Sequence, residues 1–252
     1  MRFIRIRAKG CLNSFRQPDF HTYHKTFPLP LKTTVGGMLG SALGLSPENI
    51  NDQWLLPNRF FMGIVGFNHG KTNDLWQIRK YEGKQIKAFN SGKANTPYKT
   101  AVIVRELLYS TDFVLYLAFK EESDIDMIFD KLQNPAWALS LGREDELIKI
   151  IELDKLELDK QPNLFYHNTV LPVDLSETKY EIKIDDYGMF SDNLLNEAPQ
   201  IVKVPVAFSY NHDTHERIAV KYQVFSFISN IQIGLLNDGF RDNELGYSFQ
   251  IF

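Results

Sequence analysis

Four titratable side chains crowd into five positions near the N-terminus: His21, Tyr23, His24 and Lys25. A general acid, a general base and a nearby cation are what metal-independent RNA cleavage needs, because the 2′-hydroxyl must lose a proton while the leaving oxygen gains one. The same groups can instead stack on bases and hold phosphates with no bond broken. Binding is the preferred reading, since nothing in the sequence shows the four converging. Lys32-Thr33-Thr34 is a second candidate, at the start of a glycine-rich segment. If that segment is a helix, its free N–H groups, its positive dipole end and the Lys32 ammonium form a phosphate site.

Two further motifs carry less. Gly66-Phe67-Asn68-His69-Gly70-Lys71-Thr72 has the look of a phosphate-binding loop, but three residues separate the glycines where four are needed. Lys71 is read as one more cation of a basic hairpin. His212 and His215 flank Asp213 at a hairpin tip, where a tight turn supplies too few converging ligands for a metal. No metal, cofactor or catalytic residue is expected.

The elements that must position these groups follow from periodicity. Arg2 to Lys9 alternates strictly, with Ile4, Ile6 and Ala8 on one face and Phe3, Arg5, Arg7 and Lys9 on the other. This predicts a strand with one buried face and one basic, aromatic face of the kind an RNA-binding sheet presents. Pro28 and Pro30 enforce extended backbone. Thr33 to Gly44 predicts a helix with Thr33 or Thr34 as N-cap and Gly44 as its stop. Gly36, Gly40 and Gly44 line one face and predict a groove for a second backbone. From Trp54 to Arg105 the chain is irregular and basic, with Lys71, Arg79, Lys80, Lys84, Lys87, Lys93 and Lys99 interleaved with Tyr81, Phe89 and Tyr98. Two strands joined by a long basic hairpin fit this pattern.

A strand over Phe113 to Phe119 and an amphipathic helix over Asp124 to Leu132 come next, the helix stopped by Asn134-Pro135. The predicted fold class is therefore α+β: a ferredoxin-like, RNA-recognition palm over 1–160, with a basic β-hairpin thumb inserted at about 54–105. A β-rich C-terminal region over 161–252 includes a hairpin of Val202–Tyr210 with Ile218–Phe227.

Charge is divided along the chain. Up to Arg105 there are sixteen Lys and Arg against five acids, a surplus of eleven; beyond it, twelve against twenty-six, a deficit of fourteen, which together give the net −3. Such a surplus predicts a localised positive field with a polyanion as partner. The acidic remainder would repel RNA and is expected to face protein partners or solvent. With 44% hydrophobic and 23% charged residues the chain is globular, and its 13% aromatic content suits a β-rich core or a base-stacking surface. A lone cysteine, Cys11, and no apolar leader segment predict a soluble, cytoplasmic protein. No stretch is long enough for a membrane span.

The run from Phe15 to Pro30, continuing through Lys32-Thr33-Thr34-Val35-Gly36-Gly37-Met38-Leu39-Gly40, closely resembles the CRISPR-associated Cas-five family of the RAMP superfamily, nearest to its I-B branch. A second block, Pro135 to Asp145, is similar to the family's glycine-arginine signature at Gly142-Arg143. The resemblance implies a subunit of the Cascade surveillance complex, in antiviral defence, that binds and caps the 5′ handle of the guide crRNA. It implies as partners the backbone subunit, the large subunit and target DNA beside the protospacer-adjacent motif. One branch, I-C, cleaves repeat RNA with a Tyr, Lys and His set. Here Tyr23, His24 and Lys25 are adjacent and the thumb has no Lys-His pair, so a non-catalytic role is expected, with a metal-independent endoribonuclease as the alternative. The expected RNA contacts are Arg16, Tyr23, His24, Lys25, Lys32, Thr33, Thr34, Lys80, Lys84, Lys87, Lys93, Lys99 and Arg143. Among them, Lys32, Thr33 and Thr34 would hold phosphate, Tyr23 and His24 would meet bases, and the thumb lysines would follow the backbone.

Overall fold

The computed structural model describes every residue except 21, 57–58, 82–85, 87–89, 93–97, 184–197 and 212–215. The alternating N-terminal segment forms strand β1 (Arg2–Asn13). It is followed by β2 (Tyr23–His24), α1 (Lys32–Leu43), α2 (Pro47–Gln53), β3 (Phe60–Phe67), β4 (Lys71–Lys80), β5 (Lys99–Phe119), α3 (Glu122–Gln133) and β6 (Ile148–Glu157). The central strands run antiparallel in the order β3-β5-β1-β6. Helices α1 and α3 cover one face through Val35, Met38, Leu39, Ile125, Ile128 and Leu132, which pack on Ile4, Ile6 and Ala8 of β1. This is the ferredoxin-like palm.

Strand β5 is twenty-one residues long and belongs to two structures at once. Its C-terminal half pairs with β1 and β3; its N-terminal half leaves the palm and pairs with β4 on one side and β2 on the other. Ser110, at a φ of 48°, marks the junction. The protruding hairpin is therefore rooted in the central strand of the palm. It starts at Lys71, and the expected insertion from residue 54 is corrected: Phe60 to Phe67 alternates between two cores and is held inside the palm sheet as β3.

The short strands β7 (Lys160–Gln161), β8 (Leu164–Tyr166), β9 (Thr169–Leu171) and β10 (Glu181–Lys183) precede a long hairpin of β11 (Gln200–Asn211) and β12 (Glu216–Ile228). Strands β13 (Gln232–Leu235), β14 (Gly239–Asp242) and β15 (Tyr247–Phe249) end the chain. A boundary at 161 does not divide the sheet. Strand β9 bridges β3 at Val65 and Thr169 and pairs with β12, so the palm sheet continues into the C-terminal hairpin.

The expectation most clearly overturned concerns the second face of β1. That face is covered at Phe3 and Arg5, while Arg7 is half-buried and Lys9 exposed: Phe3 packs with Val65, Val114, Tyr116, Phe240 and Phe249 in a second core closed by β14 and β15. The Tyr116 and Phe249 rings stack with centroids 3.9 Å apart. Each such aromatic removes enough apolar surface from water to contribute about 1.5–3 kcal/mol. Arg5 is buried with them, its guanidinium 3.0 Å from Asp242, 2.8 Å from Glu244 and 2.9 Å from Asp154. Arg7 takes Asp112 and Glu152, and Lys9 takes Asp112. The acidic part of the chain is thus spent partly on neutralising the basic strand.

Helix α1 also differs from expectation at its start. It begins at Lys32 behind Leu31, with no side-chain cap, so neither Thr33 nor Thr34 is the N-cap. Its stop is Gly44, at a φ of 72°, whose N–H returns to the Gly40 carbonyl. Side chains fill the glycine face at Gly36 and Gly40, where a Cβ would meet Leu55 and Ile50, while beside Gly44 the Ala136 and Trp137 N–H groups donate to the Ala42 and Ser41 carbonyls.

Candidate nucleic-acid interface

Three segments meet where the β4–β5 hairpin leaves the palm. The first is the loop from Ser14 to Phe27, folded back on itself by the Phe27 N–H to Phe15 carbonyl and Gln17 N–H to Lys25 carbonyl hydrogen bonds. Its Tyr23 and His24 pair in parallel with Val104 and Arg105 of β5. The second is β4, whose Trp76 lies beneath two guanidinium groups, Arg143 at 4.2 Å and Arg105 at 4.7 Å from the ring centroid. The third is the turn carrying Gly142 and Arg143.

Glu146 joins the first segment to the third. Its buried carboxylate accepts from the Ser14 N–H at 2.7 Å, from the Ser14 hydroxyl, and from the Arg143 N–H at 3.0 Å. Burial pushes this carboxyl up from its ordinary value, although the donated hydrogen bonds oppose the shift. Asn13 completes the joint, donating to the Leu141 carbonyl at 2.8 Å and accepting from Thr111. Gly142 is required here: it sits at a φ of 119°, and a Cβ on it would stand 2.6 Å from the Ser14 carbonyl.

The expected contact residues divide by place. Arg16 and Lys25 are exposed on the loop, with the Lys25 ammonium 4.8 Å from the Phe20 ring. Tyr23 is half-buried and donates from its hydroxyl to Asn73 at 3.0 Å, tying the loop to the hairpin. His24, expected to meet bases, is buried and pairs in parallel with Arg105. Of the three adjacent residues, Lys25 is therefore exposed, Tyr23 half-buried and His24 buried. Lys80 and Lys99 stand directly opposite each other in the hairpin and both are exposed. Lys84, Lys87 and Lys93 lie outside the described residues, as do His21, His212 and His215.

Lys32, Thr33 and Thr34 form a separate place, near the other end of β5. The Lys32 ammonium lies 4.7 Å from the ring of Phe60, which pairs with Phe119. Burial and then the neighbouring Lys221 push it down to about 8. No acidic residue occupies the first turn of α1. An uncapped positive helix end with two lysines is suited to an anion. Lys221 belongs to β12, so the phosphate candidate draws on the C-terminal hairpin, which the charge division along the chain had set aside.

Sequence reasoning missed Trp76, Arg105, Glu146 and Lys221. Trp76 and Arg105 stand in the basic segment and could have been read as an aromatic-cation pair. A lone glutamate within the acidic part carries no such signal. Among the described residues, no group of three or more His, Cys, Asp or Glu side chains could hold a metal ion. Among them too, no helix is long and apolar enough to cross a membrane.

Two solved structures share this architecture. A CRISPR protein from Archaeoglobus fulgidus aligns over 99% of this chain and 98% of its own, with a TM-score of 0.53 and 11% identity. A chain described as a CRISPR RNA-guided surveillance complex aligns over 91% of this chain and 90% of its own, with a TM-score of 0.52 and 15% identity. At such identities the likeness is one of fold. No curated protein matches the chain by sequence. The family model described as CRISPR-associated protein (Cas_Cas5) matches residues 3–197, well over half of the chain. With the palm, the rooted hairpin and the Gly142-Arg143 turn all in place, the chain belongs to the CRISPR-associated Cas5 family.

Proposed function

We propose that this chain is a non-catalytic subunit of a type I Cascade surveillance complex, and that it binds and caps the 5′ handle of the guide crRNA. The observation that carries the reading is the pair of guanidinium groups, Arg105 and Arg143, over Trp76 of the hairpin, with exposed Lys80 and Lys99 further out along the same two strands and exposed Arg16 and Lys25 on the adjoining loop. A positive groove with interleaved rings grips a single strand, with stacking adding on the order of 1–3 kcal/mol per base and phosphate contacts adding a salt-dependent term. Lys32 with Lys221 and the open end of α1 hold a phosphate further along. The partners in this reading are the backbone and large subunits and, beside the protospacer-adjacent motif, target DNA.

Cleavage is disfavoured by the engagement of two of the four residues that would perform it. His24 is buried, and the Tyr23 hydroxyl is engaged by Asn73. The decisive experiment is to purify the assembled complex and sequence what it carries. RNA of one defined 5′ sequence supports the reading; an assembly free of RNA refutes it. Repeat RNA labelled at its 5′ end and incubated with the pure chain in EDTA should remain intact, and a discrete cut product would restore the endoribonuclease alternative.

A further inference from the structure

Arg143 is not placed as a phosphate-binding cation would be. Its guanidinium lies over the Trp76 ring at 4.2 Å, while the nearest carboxylate, Asp145, is 3.9 Å from its Nε. Arg105 approaches the same ring at 4.7 Å, but it is locked by a hydrogen-bonded ion pair with Asp74. Of the two side chains, Arg143 is the open one, 30% exposed against 10% for Arg105. Its backbone N–H is fixed by Glu146, which also fixes the loop that carries Arg16 and Lys25.

A guanidinium is planar, delocalised and weakly hydrated, and a nucleobase stacks on it as it does on an aromatic ring. An indole underneath holds that plane still before any ligand arrives. We propose that Arg143 is a base-stacking platform: one base of the bound single strand lies on the guanidinium plane turned away from Trp76. Trp76 and Glu146 are positioning residues, the first backing the plane and the second aiming it. The inference deepens the RNA-binding reading above and rests on it.

The substitution Arg143→Lys keeps the charge and removes the plane, so it separates stacking from phosphate attraction. The full chain would be titrated with a short single-stranded oligoadenylate, and with an abasic ribose-phosphate strand of the same length, at several salt concentrations. Stacking predicts that Arg143→Lys weakens oligoadenylate binding about tenfold. It leaves the abasic strand unaffected and the salt dependence unchanged, because the number of neutralised phosphates is the same. Trp76→Leu should show the same selective loss, and Trp76→Phe should recover most of the affinity. Parental affinity in Arg143→Lys, or an equal loss on both strands, would overturn the platform while leaving RNA binding in place. A parental chain that binds neither strand would overturn the RNA-binding reading and the platform together. Should Arg143→Lys melt below the assay temperature, the two Trp76 variants make the same comparison and decide it.

Discussion

Arg5 holds a buried carboxylate, and what happens on its removal follows from that. Burial alone would raise the Asp242 carboxyl, but the hydrogen bonds from Arg5 and Tyr116 outweigh it and keep the group below its ordinary value. A carboxyl lowered by folding adds stability that is complete above its unfolded value, about 4, and is lost as pH falls through the folded one. Arg5→Ala should cost about 3–5 kcal/mol in denaturant unfolding at neutral pH, because it leaves Asp242 buried and uncompensated. It should also alter the acid response. Relative to the parent, the variant should gain stability as pH falls towards 4, because the buried and unpaired Asp242 takes up a proton there. A variant whose stability follows the parent in parallel over that range would show that Asp242 reaches water. Lys32 gives the opposite case. Because folding lowers it to about 8, it loses its proton in the folded state first, and stability should rise from about pH 8 to 10. Phosphate-backbone affinity at that site should fall over the same range. Lys32→Arg, which does not titrate there, should remove the pH dependence of binding; persistence of the slope would remove Lys32 from the interface.

At the scale of elements, the joint between the Ser14–Phe27 loop and the Gly142-Arg143 turn decides whether the groups proposed to bind RNA share one frame. Gly142→Ala places a methyl group against the Ser14 carbonyl at a backbone angle that disfavours side chains. It should cost about 1–3 kcal/mol in thermal or denaturant unfolding. RNA affinity should fall with it even where the fold persists, because Arg143 and the loop move apart. Wild-type stability and affinity together would show the joint to be unimportant. Strand β5 makes the hairpin a part of the palm instead of an attachment to it, since its residues 108–119 pair with β1 and β3 while 99–108 pair with β4.

For the molecule as a whole, the charge division was legible but its meaning was not. Arg2, Arg5, Arg7 and Lys9 are taken up by Glu122, Asp126, Asp112, Glu152, Asp154, Asp242 and Glu244. In the proposed reading, the cations that meet RNA sit on the loop, the hairpin and the start of α1. Alternation fixed β1 and its buried aliphatic face, helical spacing fixed α3, and glycine at the end of α1 fixed its stop, because each is a local property of backbone and side chain. The order of elements likewise pointed to the ferredoxin-like palm. No local pattern could tell whether the second face of β1 meets water or a second layer, since an arginine on a strand reads the same in either place. That was decided by residues more than two hundred positions away, when β14 and β15 closed over Phe3 and Arg5. The site was divided in the same way: sequence supplied its charges and rings, and only the pairing of β2 with β5 and the reach of Glu146 chose which of them stand together.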